Sequence, residues 1–313
     1  MTALSKARFA TSLYLLVISS SYPIASWLAD KVDPLMTVLC RFWIAGAALG
    51  LIYLVRNTKL PTLPKGSEWW RLLLLAAPLA LYFISTFTAA KTQSPVILAV
   101  LFTLAPLTPI LVGFLRNQRA PTQIIFSMLL GAGAAIYLAL GGNFDSLHQT
   151  KDEPWLYIYI LSCLLFTANP ILIKTVGQEM PLLWRSTWIL LLSGAVMLAV
   201  LLISLTFKLE LIQTAVPSTE AWVSIIWISL VCTAVPMFLY QYAAHSLSSI
   251  ELGGWHYGLP VLVMLEQAIW VGRGLSSNEI SSALLIIIAL VLLTTPIKLF
   301  KGCKKEPCAS SSN

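Results

Sequence analysis

Ten apolar runs of about 20 residues divide the chain, at about 9–29, 34–55, 69–90, 95–115, 121–140, 154–174, 183–205, 219–243, 250–272 and 279–300. A helix rising about 1.5 Å per residue crosses the roughly 30 Å hydrocarbon layer in such a run, and it satisfies its own backbone hydrogen bonds where no water can reach them. Of the 313 residues, 58% are hydrophobic and 11% are charged. An ordinary soluble domain carries about 25% charge, and a soluble core of this size could not hide so much apolar surface. The expectation is an all-α integral membrane protein of about ten transmembrane helices.

The net charge of +7 does not require a nucleic-acid partner, because the basic residues sort by loop instead of gathering on one face. With the N-terminus in the cytoplasm, fourteen of the twenty Lys and Arg residues fall inside, from Lys6 and Arg8 to Lys304 and Lys305. Six remain in the outer half: Lys31, Arg41, Lys91, Lys151, Lys208 and Arg273. The positive-inside rule then places both termini in the cytoplasm. The short loops suit a bacterial inner membrane. The first run follows two basic residues as a signal peptide would, but its counterpart in the second half argues that it is retained. Of the five cysteines, Cys40, Cys163 and Cys232 lie in runs and Cys303 and Cys308 in a basic tail; no spacing reads as a zinc site or disulfide framework, and all are expected as free thiols.

No loop is long enough for a soluble domain, and no GxxxxGK[ST] phosphate cradle is present, so an ATP-driven pump within this chain is not expected. Internal comparison is more informative. A shift of 154 residues lays Ser94-Pro95-Val96-Ile97-Leu98 through Pro106 on Ser248-Ser249-Ile250-Glu251-Leu252 through Pro260, and Arg119 on Arg273. A shift of 147 lays Pro23 on Pro170 and Pro34 on Pro181. The chain reads as two five-span repeats, residues 1–148 and 149–300, followed by a basic cytoplasmic tail at 301–313. Because five is odd, the second repeat enters the membrane from the opposite side, as in many secondary transporters with a central site.

With Pro34 and Arg41 in the second run, the segment STFTAAKTQSPVILAVLFTLAPLTPIL over runs 3 and 4, and YQYAAHSLSSIELGGWHYGLPVLVML over runs 8 and 9, the chain resembles the drug/metabolite transporter superfamily, specifically the ten-span EamA-type permeases. The resemblance runs from about Phe9 to Phe300. It implies export or exchange of amino acids, their derivatives, nucleoside-like metabolites or drugs, without a cofactor. In that family the helix after the small-residue loop ends in an L-G-E-R-L-type stretch. Here LRNQRAP surrounds Arg119 and VGRGLSS surrounds Arg273, so neither half has the Glu and no role for it carries over.

Prolines and small polar residues recur in the middle of runs in both halves. Pro23, Pro106, Pro170 and Pro260 are expected to break helices, because proline lacks the N–H that bonds the carbonyl four residues earlier. Backbone groups freed at membrane depth persist only against protein or a wet cavity. Around these breaks the candidate substrate-binding residues are Tyr22, Tyr82, Thr103, Asn169, Tyr240, Trp255, His256 and Tyr257, whose rings and polar groups suit a small organic solute and equally suit packing. Arg41 and Glu266 are the sharpest ionisable residues within runs. They read as an ion pair or, alternatively, as a binder of substrate carboxylate and a proton carrier. No G-x-S-x-G, H-E-x-x-H or C-x-x-C motif competes, and the histidines are scattered at 148, 245 and 256, so neither catalytic residues nor metal ligands are assigned.

The sequence therefore points to a permease working by alternating access. A membrane receptor or scaffold would bind without flux, and an intramembrane enzyme would alter its substrate. A small-molecule substrate and the lipid bilayer are the expected partners, with a proton or counter-substrate for coupling and a homodimer as the assembly the fold admits.

Overall fold

The computed structural model describes residues 2–57, 63–104, 107–115, 121–140, 154–175, 180–207, 217–272 and 274–295. The described residues contain helices and no strand. Span 1 consists of Ala3–Ser19 and Ser21–Ala29, span 2 of Pro34–Arg56, span 3 of Ser67–Ala89, span 4 of Pro95–Phe102 and Leu107–Leu115, and span 5 of Thr122–Ala139. Span 6 consists of Pro154–Phe166 and Asn169–Thr175, and span 7 of Leu182–Thr206. Span 8 joins Thr219–Ser229, a π-turn at Leu230–Ala234 and Val235–Ser246; span 9 joins Ser249–Trp255, a 3-10 turn at His256–Gly258 and Leu259–Val271; span 10 is Ser277–Thr294. Nine of these spans are long and apolar enough to cross a membrane. Span 9, the other, is divided by its turn and carries His256 and Glu266.

Local sequence sets the helix starts. The Asp33 carboxylate accepts from the N–H groups of Leu35 and Met36 at 2.8 and 3.2 Å, and Pro34 fills the first helical position. Ser94 accepts from the Ile97 N–H at 3.3 Å and Ser248 from the Glu251 N–H at 3.0 Å, so the two repeat-matched serines cap spans 4 and 9 in the same way. Ser276 and Glu279 form a reciprocal capping box at span 10. Each cap is worth about 1 kcal/mol.

The interruptions fall where proline removes a backbone donor. Pro23, Pro170, Pro236 and Pro260 leave the carbonyls of Ser19, Phe166, Cys232 and His256 without their usual partner four residues on. In span 9 the N–H of Leu259 bonds the His256 carbonyl instead and tightens the turn to 3-10 geometry. In span 8 the carbonyl of Cys232 turns to Arg41 of span 2, whose Nη2 donates at 2.9 Å. Pro106 lies outside the described residues, as do His148, Arg119, Arg273, Cys303 and Cys308.

The pairing of spans has the symmetry of the repeat. Span 2 packs on span 7, span 5 on span 10 and span 4 on span 9, each on its own counterpart, while span 1 packs on span 8 as span 3 packs on span 6. Exchanging the two halves leaves this pattern unchanged. Small residues permit the closest of these contacts: a Cβ on Gly46 would lie 2.9 Å from a Leu191 methyl, and one on Gly194 would overlap the Trp43 indole. Most buried apolar side chains form one central cluster, and a smaller cluster containing Met128, Tyr257 and Ile286 joins spans 4, 5, 9 and 10.

Candidate functional site

A cavity lies at the centre of the bundle, where the interrupted spans meet. Tyr14, Ile18 and Tyr22 of span 1 face Leu79, Tyr82 and Phe83 of span 3. Phe102, Phe166, Leu190 and Leu259 close its sides, and Cys232, Thr233, Pro236, Met237 and Tyr240 line it from span 8. Its free volume is about 40 Å³, room for a few waters. Sites for small organic ligands usually measure about 300–1,000 Å³, so the cavity as it stands is smaller than such a site.

That wall is a connected row of rings. Phe166 stacks on Tyr82 with centroids 5.0 Å apart and planes 17° apart, and on Tyr240 at 5.9 Å and 22°. Tyr240 meets Tyr14 at 5.3 Å. The hydroxyls of Tyr22 and Tyr82 are 2.7 Å apart. His256 sits behind the row, with Nδ1 3.1 Å from the Gly253 carbonyl and Nε2 3.1 Å from the Tyr14 hydroxyl. A carbonyl only accepts, so Nδ1 carries a proton; in the neutral ring Nε2 then accepts from Tyr14.

A second, smaller chamber shares Leu79, Phe166, Met237 and Tyr240 with the first and adds Asn169 and Gln241. Both amides are buried, and Asn169 Oδ1 and Gln241 Oε1 have no hydrogen-bond partner. Polar atoms left this way are costly unless something else engages them.

Among the sequence candidates, Tyr22, Tyr82 and Tyr240 line the main cavity, Asn169 the smaller chamber, and His256 the layer behind. Three do not reach it. The Thr103 hydroxyl bonds back to the Val100 carbonyl at 2.6 Å. The Tyr257 ring packs on Gly131 of span 5, where a Cβ would come within 2.9 Å of it, and belongs to the smaller cluster. Trp255 is a partly buried ring against the central cluster. Local geometry separates them: Trp255 ends an α-helix and His256 and Tyr257 begin a 3-10 turn, so neighbours point in different directions. Pro170 and Pro260 are the second residue, and Pro23 the third, of the helix that follows each interruption.

The Arg41–Glu266 ion pair expected from the sequence does not form. Arg41 is wholly buried; its Nε donates to Thr233 Oγ1 at 2.5 Å, and its guanidinium lies 4.2 Å from the Phe83 ring. Nη1 has no partner. Glu266 Oε1 accepts from Ser19 Oγ at 2.6 Å, while Oε2 has no partner. Between them lies Cys232, whose carbonyl takes Arg41 and whose sulfur is 3.2 Å from Ser20 Oγ. The freed carbonyl of span 8 and the serines at the break of span 1 have taken the places that each charge was expected to offer the other.

The end of the bundle that holds the start of span 1 is tied differently. Arg8 Nε donates to Glu251 Oε1 at 2.8 Å and Arg8 Nη2 to the Thr294 carbonyl at 3.1 Å, joining spans 1, 9 and 10. Lys174 Nζ donates to the Leu247 carbonyl at 2.5 Å, and Arg185 Nη2 is 3.1 Å from His245 Nε2. At the opposite end a cleft of about 420 Å³ opens between Trp27, Trp270 and the start of span 8. The described residues contain no group of His, Cys, Asp and Glu side chains arranged to hold a metal.

Sequence reasoning did not single out Phe166, Thr233 or Gln241. One available signal was position: Phe102, Phe166, Cys232 and His256 each stand four residues before a proline, on the same helix face. The profile of the EamA-like transporter family matches residues 7–140 and 153–295, once in each half. A solved crystal structure of a protein superposes with a TM-score of 0.71 over 93% of this chain and 96% of that one, at 17% sequence identity. At that identity the likeness concerns the fold. No curated protein matches the chain significantly.

Proposed function

Because the chain belongs to the EamA-like transporter family, we propose that it is a secondary transporter carrying a small metabolite, an amino acid, amino-acid derivative or nucleoside-like compound, by alternating access. Membership makes it an integral membrane protein of a transporter family; substrate class and mechanism are the proposal. The observation that carries it is the central aromatic cavity, built where spans 1, 4, 6, 8 and 9 are interrupted. Each interruption supplies a hinge, and the hinges surround one site instead of being scattered along the bundle.

The solute occupies the aromatic row, with the Asn169 and Gln241 amides at one side and the Arg41–Thr233 pair at the other. The cavity must widen to admit it, by separation of spans 1 and 8 from spans 3 and 6. The Arg8–Glu251 and Arg185–His245 contacts hold one end closed in this conformation, and the basic residues support assigning that end to the cytoplasm of a bacterial inner membrane. Glu266 and His256 are the groups for proton coupling; otherwise a counter-substrate drives exchange.

The test is reconstitution in liposomes with radiolabelled amino acids and nucleosides. Saturable flux of an unaltered compound that is strongly reduced by Phe166→Ala is the expected result. Binding without flux, or chemical alteration of the compound, would replace this reading with a receptor or an enzyme.

A further inference from the structure

Arg41 presents an electrostatic problem that the protein does not solve with its own residues. Its guanidinium is fully buried in the first half of span 2. One nitrogen takes a threonine hydroxyl and another takes a backbone carbonyl, both neutral acceptors, and the third takes nothing. Among the described residues no carboxylate lies within 4.0 Å of the Arg41 guanidinium, so none neutralises it. A buried charge is normally paired, because the protein interior cannot replace the water it has lost. Glu266 is the nearby acid that could have served, yet Ser19 holds it on the far side of Cys232.

The position of this unpaired charge is specific. Thr233, Cys232 and Phe83, which contact Arg41, are themselves walls of the central cavity. The guanidinium therefore stands directly behind the lining, separated from the cavity by the Phe83 ring and the π-turn at Leu230–Ala234. A planar guanidinium with a free donor matches a carboxylate or a phosphate, because its N–H pairs align with two oxygens; beside a single cation and a largely aromatic lining, the singly charged carboxylate is the better fit.

We propose that the transported solute is a small organic carboxylate with an apolar, ring-sized body, and that Arg41 is the residue that takes its carboxylate. The inference rests on the transport reading above and narrows it: within the classes named there, amino acids and their acid derivatives are favoured over uncharged nucleoside-like compounds. The stacked rings of Tyr82, Phe166 and Tyr240 receive the apolar body. Neutral solutes leave the buried charge unanswered.

The experiment compares matched compounds on the full-length protein. Flux into proteoliposomes is measured for L-phenylalanine, L-leucine and phenylpyruvate, for the corresponding amides, and for uridine, alongside thermal stabilisation of the purified protein by each. Wild type is expected to favour acids over amides at least tenfold, Arg41→Gln to bring that ratio near one, and Arg41→Lys to retain part of it. Arg41→Lys also serves where Arg41→Gln does not give a monodisperse protein, since it keeps the charge and removes the paired donors. Equal handling of acids, amides and uridine, or an equal loss for all of them in the variants, would overturn the assignment while leaving transport standing. If no compound moves, the transport reading fails by itself. Stabilisation by acids over amides that disappears in Arg41→Gln then still supports the anion site, and its absence overturns it.

Discussion

Arg8 and Arg41 belong to successive spans, the first and the second, yet their surroundings are opposite. Arg8, at one end of the bundle, has a carboxylate at 2.8 Å and a carbonyl at 3.1 Å, and is 36% exposed. Arg41, deep in the other half, has a hydroxyl, a carbonyl and an unused nitrogen. The first end is a set of cross-span contacts, Arg8 with Glu251, Lys174 with the Leu247 carbonyl and Arg185 with His245, between spans 1, 6, 7, 8, 9 and 10. The second is a set of polar groups, Arg41, Ser19, Ser20, Cys232 and Glu266, that satisfy one another only in part. A closed end needs partners that release with little cost, whereas incompletely satisfied groups beside a cavity are suited to a partner that arrives from outside. Under the alternating access proposed above, the two ends carry different tasks.

The strongest way to break this comparison is Thr233→Val. It removes the acceptor of Arg41 Nε and the hydroxyl that bonds the Ile228 carbonyl at 2.7 Å within the π-turn. Loss of a partner by a buried charged group costs about 3 kcal/mol. The expected outcome is a clear fall in unfolding temperature in detergent, with Thr233→Ser restoring it. A neutral Thr233→Val would mean that Arg41 finds an adequate partner elsewhere and that the two ends differ less than the structure indicates.

Ser19→Ala tests the other charge of the same region, with a smaller effect. It deprives Glu266 of its hydrogen bond at 2.6 Å, and bonds to charged groups contribute about 1.5–3 kcal/mol. Because the cost arises from leaving a carboxylate unpartnered, Glu266→Gln in the Ser19→Ala background should recover most of it. Glu266→Gln alone should remain folded. If Glu266 carries protons, that variant should still exchange substrate and lose acceleration by an imposed pH gradient; unaltered acceleration in both Glu266→Gln and His256→Ala would leave a facilitator or exchanger.

The difference between the ends was only half visible in the sequence. The ten spans, the two repeats and the proline breaks are legible because bilayer thickness and the missing proline N–H act on local sequence. Tyr22, Tyr82, Tyr240 and Asn169 were reachable for the same reason, lying beside breaks or in the runs that pack against them. The Arg41–Glu266 pairing was misread because charge complementarity ignores what a π-turn supplies. Pro236 frees the Cys232 carbonyl, the turn carries Thr233 beside it, and Arg41 takes both. Tyr257 and Trp255 stand outside the cavity wall for a related reason: the helix of Ser249–Trp255 passes at His256 into a 3-10 turn, and the sequence does not show which way the neighbouring side chains then point. Phe166 and Gln241 depend on which spans cross, and the repeat symmetry of the pairing becomes visible only in three dimensions.

The smallest effect on stability belongs to the satisfied end, and it is the most informative about motion. Glu251→Gln removes the charge that Arg8 meets but keeps a hydrogen-bonding side chain of nearly the same shape. Both partners are partly exposed, at 36% and 18%, so solvent already screens them and the pair contributes about 1 kcal/mol at most. Unfolding should hardly change. The same energy, applied to the balance between closed and open forms of one end, corresponds to about a fivefold shift in their ratio, since about 1.4 kcal/mol is tenfold. Ile173, a buried residue lining the smaller chamber, reports that balance as a cysteine in a background with Cys303 and Cys308 changed to serine. A membrane-impermeant maleimide applied from the side of Arg8 should label it about two to five times faster in Glu251→Gln than in the wild type, and the charge exchange Arg8→Glu with Glu251→Arg should bring the rate back. Unchanged labelling would make the contact an ordinary surface pair, and closure of that end would then rest on Lys174 with the Leu247 carbonyl and on Arg185 with His245.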